Sequence, residues 1–181
     1  MYLVTVSLTT GLYVRAGTPL RPVIHGGGHE GGLRAGTENV AFIAALGHAA
    51  ELARRGLPGS AERLAKLRDL LHGELEALLP GRVHLNGHPT ERLPGTLNLS
   101  IDGIGGRALL AAVPEIAAST GSACHEGVDA PSPVLTAMGL PQERARSALR
   151  LSLGRWSTET EIRQAARLIA RAATTMPAVA G

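Results

Sequence analysis

Between Ala61 and Leu79, five leucines recur at helical spacing: Leu64, Leu67, Leu71, Leu75 and Leu78. Lys66, Arg68, Asp69, Glu74 and Glu76 decorate the other face. This period predicts an amphipathic helix with one side in a core. Pro80-Gly81 predicts its end, since proline cannot continue a helix and glycine accepts the turn that follows. Such a helix needs an apolar layer to lie on. Two segments with a period of two can supply it. Thr96–Ile101 alternates, and Ala148–Leu153 puts Leu149, Leu151 and Leu153 on one face with Arg150 and Ser152 on the other. Each reads as a strand with one buried face, and the second presents an arginine on its polar side.

The other elements fall around these. Val83–Leu85 reads as a short strand and Asn86-Gly87-His88-Pro89 as a turn or loop. A helix is expected from Arg107 to about Val113, then a strand from Ile116 to Ser119. A short helix through Val134, Leu135 and Met138 is stopped at Gly139-Leu140-Pro141, where another turn starts. Thr158 and Glu161 have the spacing of a capping box for a last helix, whose apolar face is Ile162, Ala165, Ala166, Ile169 and Ala173. Upstream, Val40 to Leu52 has helical spacing, punctuated by Leu57-Pro58-Gly59-Ser60, and residues 1–14 read as one or two strands broken at Gly11. Helices alternating with short strands, some neighbouring strands antiparallel, give an α/β class: a small sheet with helices packed on one side.

Composition narrows the classes. The chain has 181 residues, is 44% hydrophobic and has one Trp, one Phe and two Tyr, so an aliphatic core is expected. A net charge of +3, with arginines scattered and no aromatic interleaving, argues against nucleic acid. No apolar run approaches the ~20 residues of a membrane span, and residues 1–10 lack a basic region and a clear cleavage site, so a cytoplasmic location is expected. The single cysteine excludes a disulfide framework and a multi-cysteine zinc site, and it fits a reducing compartment.

That cysteine, Cys124, lies in S-T-G-S-A-C-H-E-G-V-D-A-P-S at 119–132. Small, flexible neighbours place it on a surface loop, where a thiol can attack an electrophile, carry sulfur or bind a metal. A free cysteine also often serves as a small buried hydrophobe. The loop composition shifts the balance toward reactivity. A second glycine-rich stretch, H-G-G-G-H-E-G-G-L-R-A-G-T-E-N-V at 25–40, leads into a helix with Thr37 as an N-cap and Glu38 in its first turn. Amides at such a helix start, the Thr37 hydroxyl and Arg34 could receive a phosphate; a plain connector is the competing reading. His25 and His29 have a metal-pair spacing only on a helix, and the glycines between them argue against a helix, so no metal is expected.

Taken together, these blocks resemble the cysteine desulfurases of the class V aminotransferase group. The resemblance rests on the 25–40 stretch and on S-T-G-S-A-C at 119–124, followed by P-S-P-V-L-T-A-M-G-L and S-A-L-R-L-S-L-G-R. L-N-G-H-P at 85–89 and the order of the blocks also fit. It runs from about Gly11 to about Ala172. It implies a pyridoxal 5'-phosphate-dependent transferase of fold type I, of which this chain matches the C-terminal part: residues 1–40 a remnant of the cofactor-binding large domain, residues 41–181 the small α/β domain carrying the cysteine loop. It implies that Cys124 takes sulfur from L-cysteine and holds it as a persulfide, that Arg150 binds the substrate carboxylate, and that Thr37 contacts the cofactor phosphate across a homodimer. It implies a sulfur acceptor or iron–sulfur scaffold as partner.

The sequence departs from the family in its cofactor-binding half, with no room for the large domain that stacks on the cofactor ring and holds its pyridine nitrogen. The Schiff-base lysine of the family precedes the segment matching Gly11 to Arg15, whereas Lys66 is the only lysine here. Residues 1–10 do not resemble the family, so a displaced start, a frameshift or a truncated gene is expected, with a chain inactive by itself. The alternative is a non-catalytic remnant or a persulfide-accepting sulfur-transfer module.

Overall fold

A computed structural model describes residues 11–121 and 130–177. The chain divides into two units, with the boundary between Leu57 and Pro58. The unit that follows the boundary is built on three strands: β1 (Val83–Leu85), β2 (Thr96–Ile101) and β3 (Ala148–Ser152). They form one antiparallel sheet in the order β1-β2-β3, with Leu85 opposite Leu99, Leu99 opposite Leu149 and Leu97 opposite Leu151. Every leucine in that register faces the same way. The period of two seen in the sequence thus becomes one apolar sheet face.

Two long helices supply the other half of the core. α1 runs Val40–Leu78 and α5 Glu159–Thr175. Leu67, Leu71 and Leu75 of the first with Leu79 just after it, and Ile162, Ala166, Ile169 and Ala173 of the second, join Leu97, Leu99, Ile101, Leu149 and Leu151 in a single buried cluster. Leu109 of the short α2 (Gly106–Ala111) completes it. Ala166, Ala170, Ala172 and Ala173 of α5 are buried in this cluster, so small aliphatic side chains fill much of the helix's core face. Arg163 of α5 pairs with Glu74 of α1. The expected capping box is present: the Thr158 hydroxyl accepts from Glu161 N, and the Glu161 carboxylate accepts from Thr158 N at 2.8 Å. The opposite sheet face is polar and is met at one end by α4 (Gln142–Arg146), which packs with α3 (Pro133–Ala137) through Leu135, Ala145 and Ala148.

Several local expectations are corrected. Residues 11–14 form no strand; among the described residues they have no strand to pair with, and Leu12 and Tyr13 are exposed. The rest of that expected strand lies outside the described residues. Thr37 does not cap α1. The helix begins at Val40, and Asn39 is the cap, its side-chain oxygen accepting from Phe42 N at 3.3 Å. Leu57–Ser60 does not break the helical region, for α1 continues through Pro58. The helix there is exposed, so the carbonyl left without its amide partner can bond to water. Leu79 takes the core position expected for Leu78, and Arg68 is buried where a solvent position was expected. Its guanidinium is drawn inward because it bridges Leu93 O at 3.2 Å and the Asp69 carboxylate. Ile116–Ser119 is no strand but delivers one isolated bridge, Ser119 to Arg150.

Candidate functional site

β3 is the outer strand of the sheet, yet at Arg150 its outward backbone groups are satisfied. Arg150 N donates to Ser119 O at 2.6 Å, and Ser119 N donates to Arg150 O at 3.3 Å. The two residues thus form a mutually bonded antiparallel pair. Because the Arg150 amide and carbonyl point toward Ser119, its register partner on β2, Asn98, faces it without backbone bonds between them. In such pairs the side chains stand closest, with Cα atoms about 4.5 Å apart. On the far side of β2, Asn86 N donates to Asn98 O at 2.9 Å and extends the β1–β2 register by one residue. Asn86, Asn98, Arg150 and Ser119 therefore form one row across the polar face of the sheet.

The row is held by a hydrogen-bond network at its inner end. Asn86 is buried. Its Oδ1 accepts from Arg144 Nε at 3.0 Å, and its Nδ2 donates to Asn98 Oδ1 and to Ser100 Oγ, both at 2.9 Å. Ser100 Oγ donates to Arg144 O at 2.7 Å, and Arg144 reaches Leu85 O at 2.7 Å through Nη2. A buried polar cluster is stable only when its donors and acceptors are matched, and here they are. The cluster fixes α4 to the polar sheet face. The sequence alone did not identify Asn86 or Arg144 as structural; the available signal was the L-N-G-H-P block, read as a turn.

At the outer end of the row, Arg150 is exposed, and among the described residues its guanidinium has no hydrogen-bond or ion-pair partner. The Ser119 hydroxyl accepts from Gly121 N at 3.0 Å and donates to Gly121 O at 2.6 Å, closing a turn where the chain leaves the sheet for the cysteine segment. Cys124 itself lies outside the described residues. Thr37, in the unit before the boundary, is exposed on the approach to α1. Next to it, Arg34 Nη1 donates to Ala35 O at 3.2 Å, and Gly36 adopts φ +103°, a conformation glycine accepts without strain. His29 begins a single turn of 3-10 helix (His29–Gly32), and the three glycines before it are not helical. No group of three His, Cys, Asp or Glu residues gathers in a metal-holding arrangement among the described residues. A cleft of about 480 Å³ between Glu115–Ala117, the end of β3 and α5 is lined largely by apolar side chains and includes none of the expected site residues.

Comparison with known proteins agrees with this architecture. The aminotransferase class-V family model matches residues 12–164, and the chain belongs to that family. It is 49% identical over 154 residues to a cysteine desulfurase of Frankia sp., covering 84% of this chain and 37% of that protein. It is 47% identical over 154 residues to the cysteine desulfurase IscS of Methanosarcina thermophila, covering 83% and 37%. A selenocysteine lyase of Bos taurus is 46% identical over 159 residues, covering 83% and 36%. Among solved structures, a NifS-like protein superposes with a TM-score of 0.78 at 34% identity, covering 91% of this chain and 42% of that one. The NifS-like protein of Rickettsia africae gives a TM-score of 0.72 at 29% identity, covering 86% and 40%. The chain therefore spans about two fifths of the length of the relatives it matches.

The family implies pyridoxal phosphate, and the residues present fit only one end of it. The exposed Thr37 hydroxyl on a glycine-rich turn suits a phosphate. The aldehyde end needs an unprotonated amine. Lys66 is the only lysine in the sequence, and it is exposed on α1 and paired with Glu62 at 2.7 Å. That hydrogen bond and the charge of the same carboxylate raise the Lys66 pKa, so the ammonium form is favoured.

Proposed function

We propose that this chain carries the sulfur-accepting and carboxylate-binding half of a cysteine desulfurase. In this reading Arg150 holds the α-carboxylate of L-cysteine, Cys124 ends as the persulfide, and alanine leaves. Overall, cysteine and a thiol become alanine and a persulfide, so sulfur is conserved. Pyridoxal phosphate, when bound, supplies the electron sink for such C–S bond cleavage. This stretch contributes no amine suited to its aldehyde. Thr37 would meet its phosphate. The chain by itself does not turn over cysteine, and the persulfide is passed to a sulfur acceptor such as an iron–sulfur scaffold or a thio-cofactor pathway.

The observation that carries the reading is the Ser119–Arg150 bridge. It ties the start of the cysteine segment to the strand bearing a guanidinium that is exposed and without a partner among the described residues. A planar fork of donors with no internal acceptor is suited to a carboxylate. The relatives named as cysteine desulfurase and selenocysteine lyase support a sulfur or selenium amino acid as the substrate class.

The reading is tested by sulfur transfer from a small-molecule persulfide. The Cys124 thiolate attacks the outer sulfur, the donor's S–S bond breaks, and the donor leaves as a thiolate. Mass spectrometry of the native chain should show one sulfur gained on Cys124, faster than in the same chain denatured and absent in Cys124→Ala. Equal rates in native and denatured chains would mean that the fold does nothing for the thiol, and would overturn the proposal.

A further inference from the structure

The hydrogen bonds of the polar row determine which way each amide points. Arg144 can only donate, so the Asn86 atom that meets its Nε at 3.0 Å must be the oxygen. The Asn86 NH2 group is then directed at Asn98 and Ser100. A donor there requires Asn98 to present its oxygen inward. The Asn98 NH2 group is consequently turned away from Asn86, and among the described residues it has no hydrogen-bond partner. It stands on the sheet face directly opposite Arg150, in the close type of cross-strand pair.

Asn98 and Arg150 thus hold paired positions on one sheet face, and among the described residues neither donor group has an acceptor. The Asn98 oxygen is turned inward to Asn86 and accepts no hydrogen bond from the guanidinium. Repulsion is avoided because Asn98 is neutral. A small anion with two oxygens satisfies both groups at once: one oxygen for the guanidinium fork, the other for the amide.

We infer that Asn98 Nδ2 is a second donor to the carboxylate of the amino-acid substrate, with Asn86 and Arg144 as the positioning residues that orient it. This inference rests on the assignment of Arg150 to the substrate carboxylate. Asn98 then contributes to specificity, since a ligand lacking the carboxylate leaves both donors unpaired.

The test is a titration of the full chain, 15N-labelled and kept reduced, with L-cysteine. Cysteamine, which keeps the thiol and amine but lacks the carboxylate, serves as control. Saturable shifts of both the Asn98 side-chain amide and Arg150 Nε–H are expected with L-cysteine, and neither with cysteamine. Asn98→Ala is expected to weaken binding roughly tenfold, as for loss of one hydrogen bond to a charged group. If Arg150 responds and the Asn98 amide does not, the inference about Asn98 is overturned and the assignment of Arg150 survives. If neither responds, or if cysteamine shifts both equally, the assignment of Arg150 fails and the inference falls with it. The wild-type titration decides the matter even if Asn98→Ala does not fold.

Discussion

Ser119 and Arg150 exchange both of their backbone hydrogen bonds, at 2.6 and 3.3 Å, so the cysteine segment leaves the sheet from a point fixed on the arginine strand. The Ser119 side chain then sets the direction of departure through its two bonds to Gly121. Ser119→Ala keeps the backbone bridge and loses that turn. It is expected to lower stability by about 1 kcal/mol and to speed amide exchange at Gly121. Denaturant unfolding and hydrogen exchange check this; unchanged exchange at Gly121 would mean that the hydroxyl does not hold the turn.

Asn86 ties β1, β2 and α4 together through four side-chain and backbone bonds. Asn86→Leu keeps the branched shape but strands Arg144 Nε and Asn98 Oδ1 in a part-buried site. Unpaired buried polar groups cost about 1–3 kcal/mol each, so a loss of roughly 3 kcal/mol is expected in urea unfolding. A loss well under 1 kcal/mol would show that water replaces Asn86 without penalty and that the network does not fasten α4.

These two residues mark where the sequence became opaque. The strands at 96–101 and 148–153, the leucine stripe of α1 and the capping box of α5 were legible because each is a local pattern. The polar row was not. Asn86 and Arg144 are 58 residues apart, and their pairing follows from strand register and from where α4 lands. Arg68 was misplaced for a related reason: helical period alone assigned it to solvent, while its long stem let the guanidinium reach Leu93 O and become buried. Thr37 and Asn39 are both cap residues by type; only the backbone path, with Ile43 N donating to Asn39 O at 3.0 Å, selects the second. Arg150 was placed correctly on its face, because an alternating strand fixes which way each side chain points.

Gly106 opens α2 with its backbone against the start of β3. A Cβ built there would collide with the Ala148 carbonyl oxygen and lie 3.3 Å from Arg146 O. Both obstacles are backbone, which gives way less readily than a side chain. Gly106→Ala is expected to destabilise the fold by roughly 1–3 kcal/mol, although alanine is the better helix former. Stability equal to or above wild type in thermal unfolding would show that the α2–β3 contact is looser than described.

On α1, Arg54 and Arg55 donate to the Glu51 carboxylate and, in that order, hold its pKa below the ordinary 4.5. A carboxylate whose folded pKa is lowered stabilises the fold above the unfolded value, and that contribution disappears as pH falls through the folded value. Local helix stability around Glu51 is therefore expected to be constant from neutral pH down to about 4.5 and to decline below it. Because the group is exposed, the effect is small and weakened by salt. A side-chain carboxyl NMR titration checks it, and a Glu51 midpoint at or above 4.5 would contradict the ion pairs.

In the proposed reading this stretch holds the carboxylate and sulfur half of the reaction without the amine half. The most direct measurement is sulfide release from L-cysteine by the purified chain, with pyridoxal phosphate and a reductant, beside Cys124→Ala. Release no greater than that of the variant is expected. Sulfide release that depends on Cys124 would contradict it, and would mean that Lys66 or no lysine at all suffices for the chemistry.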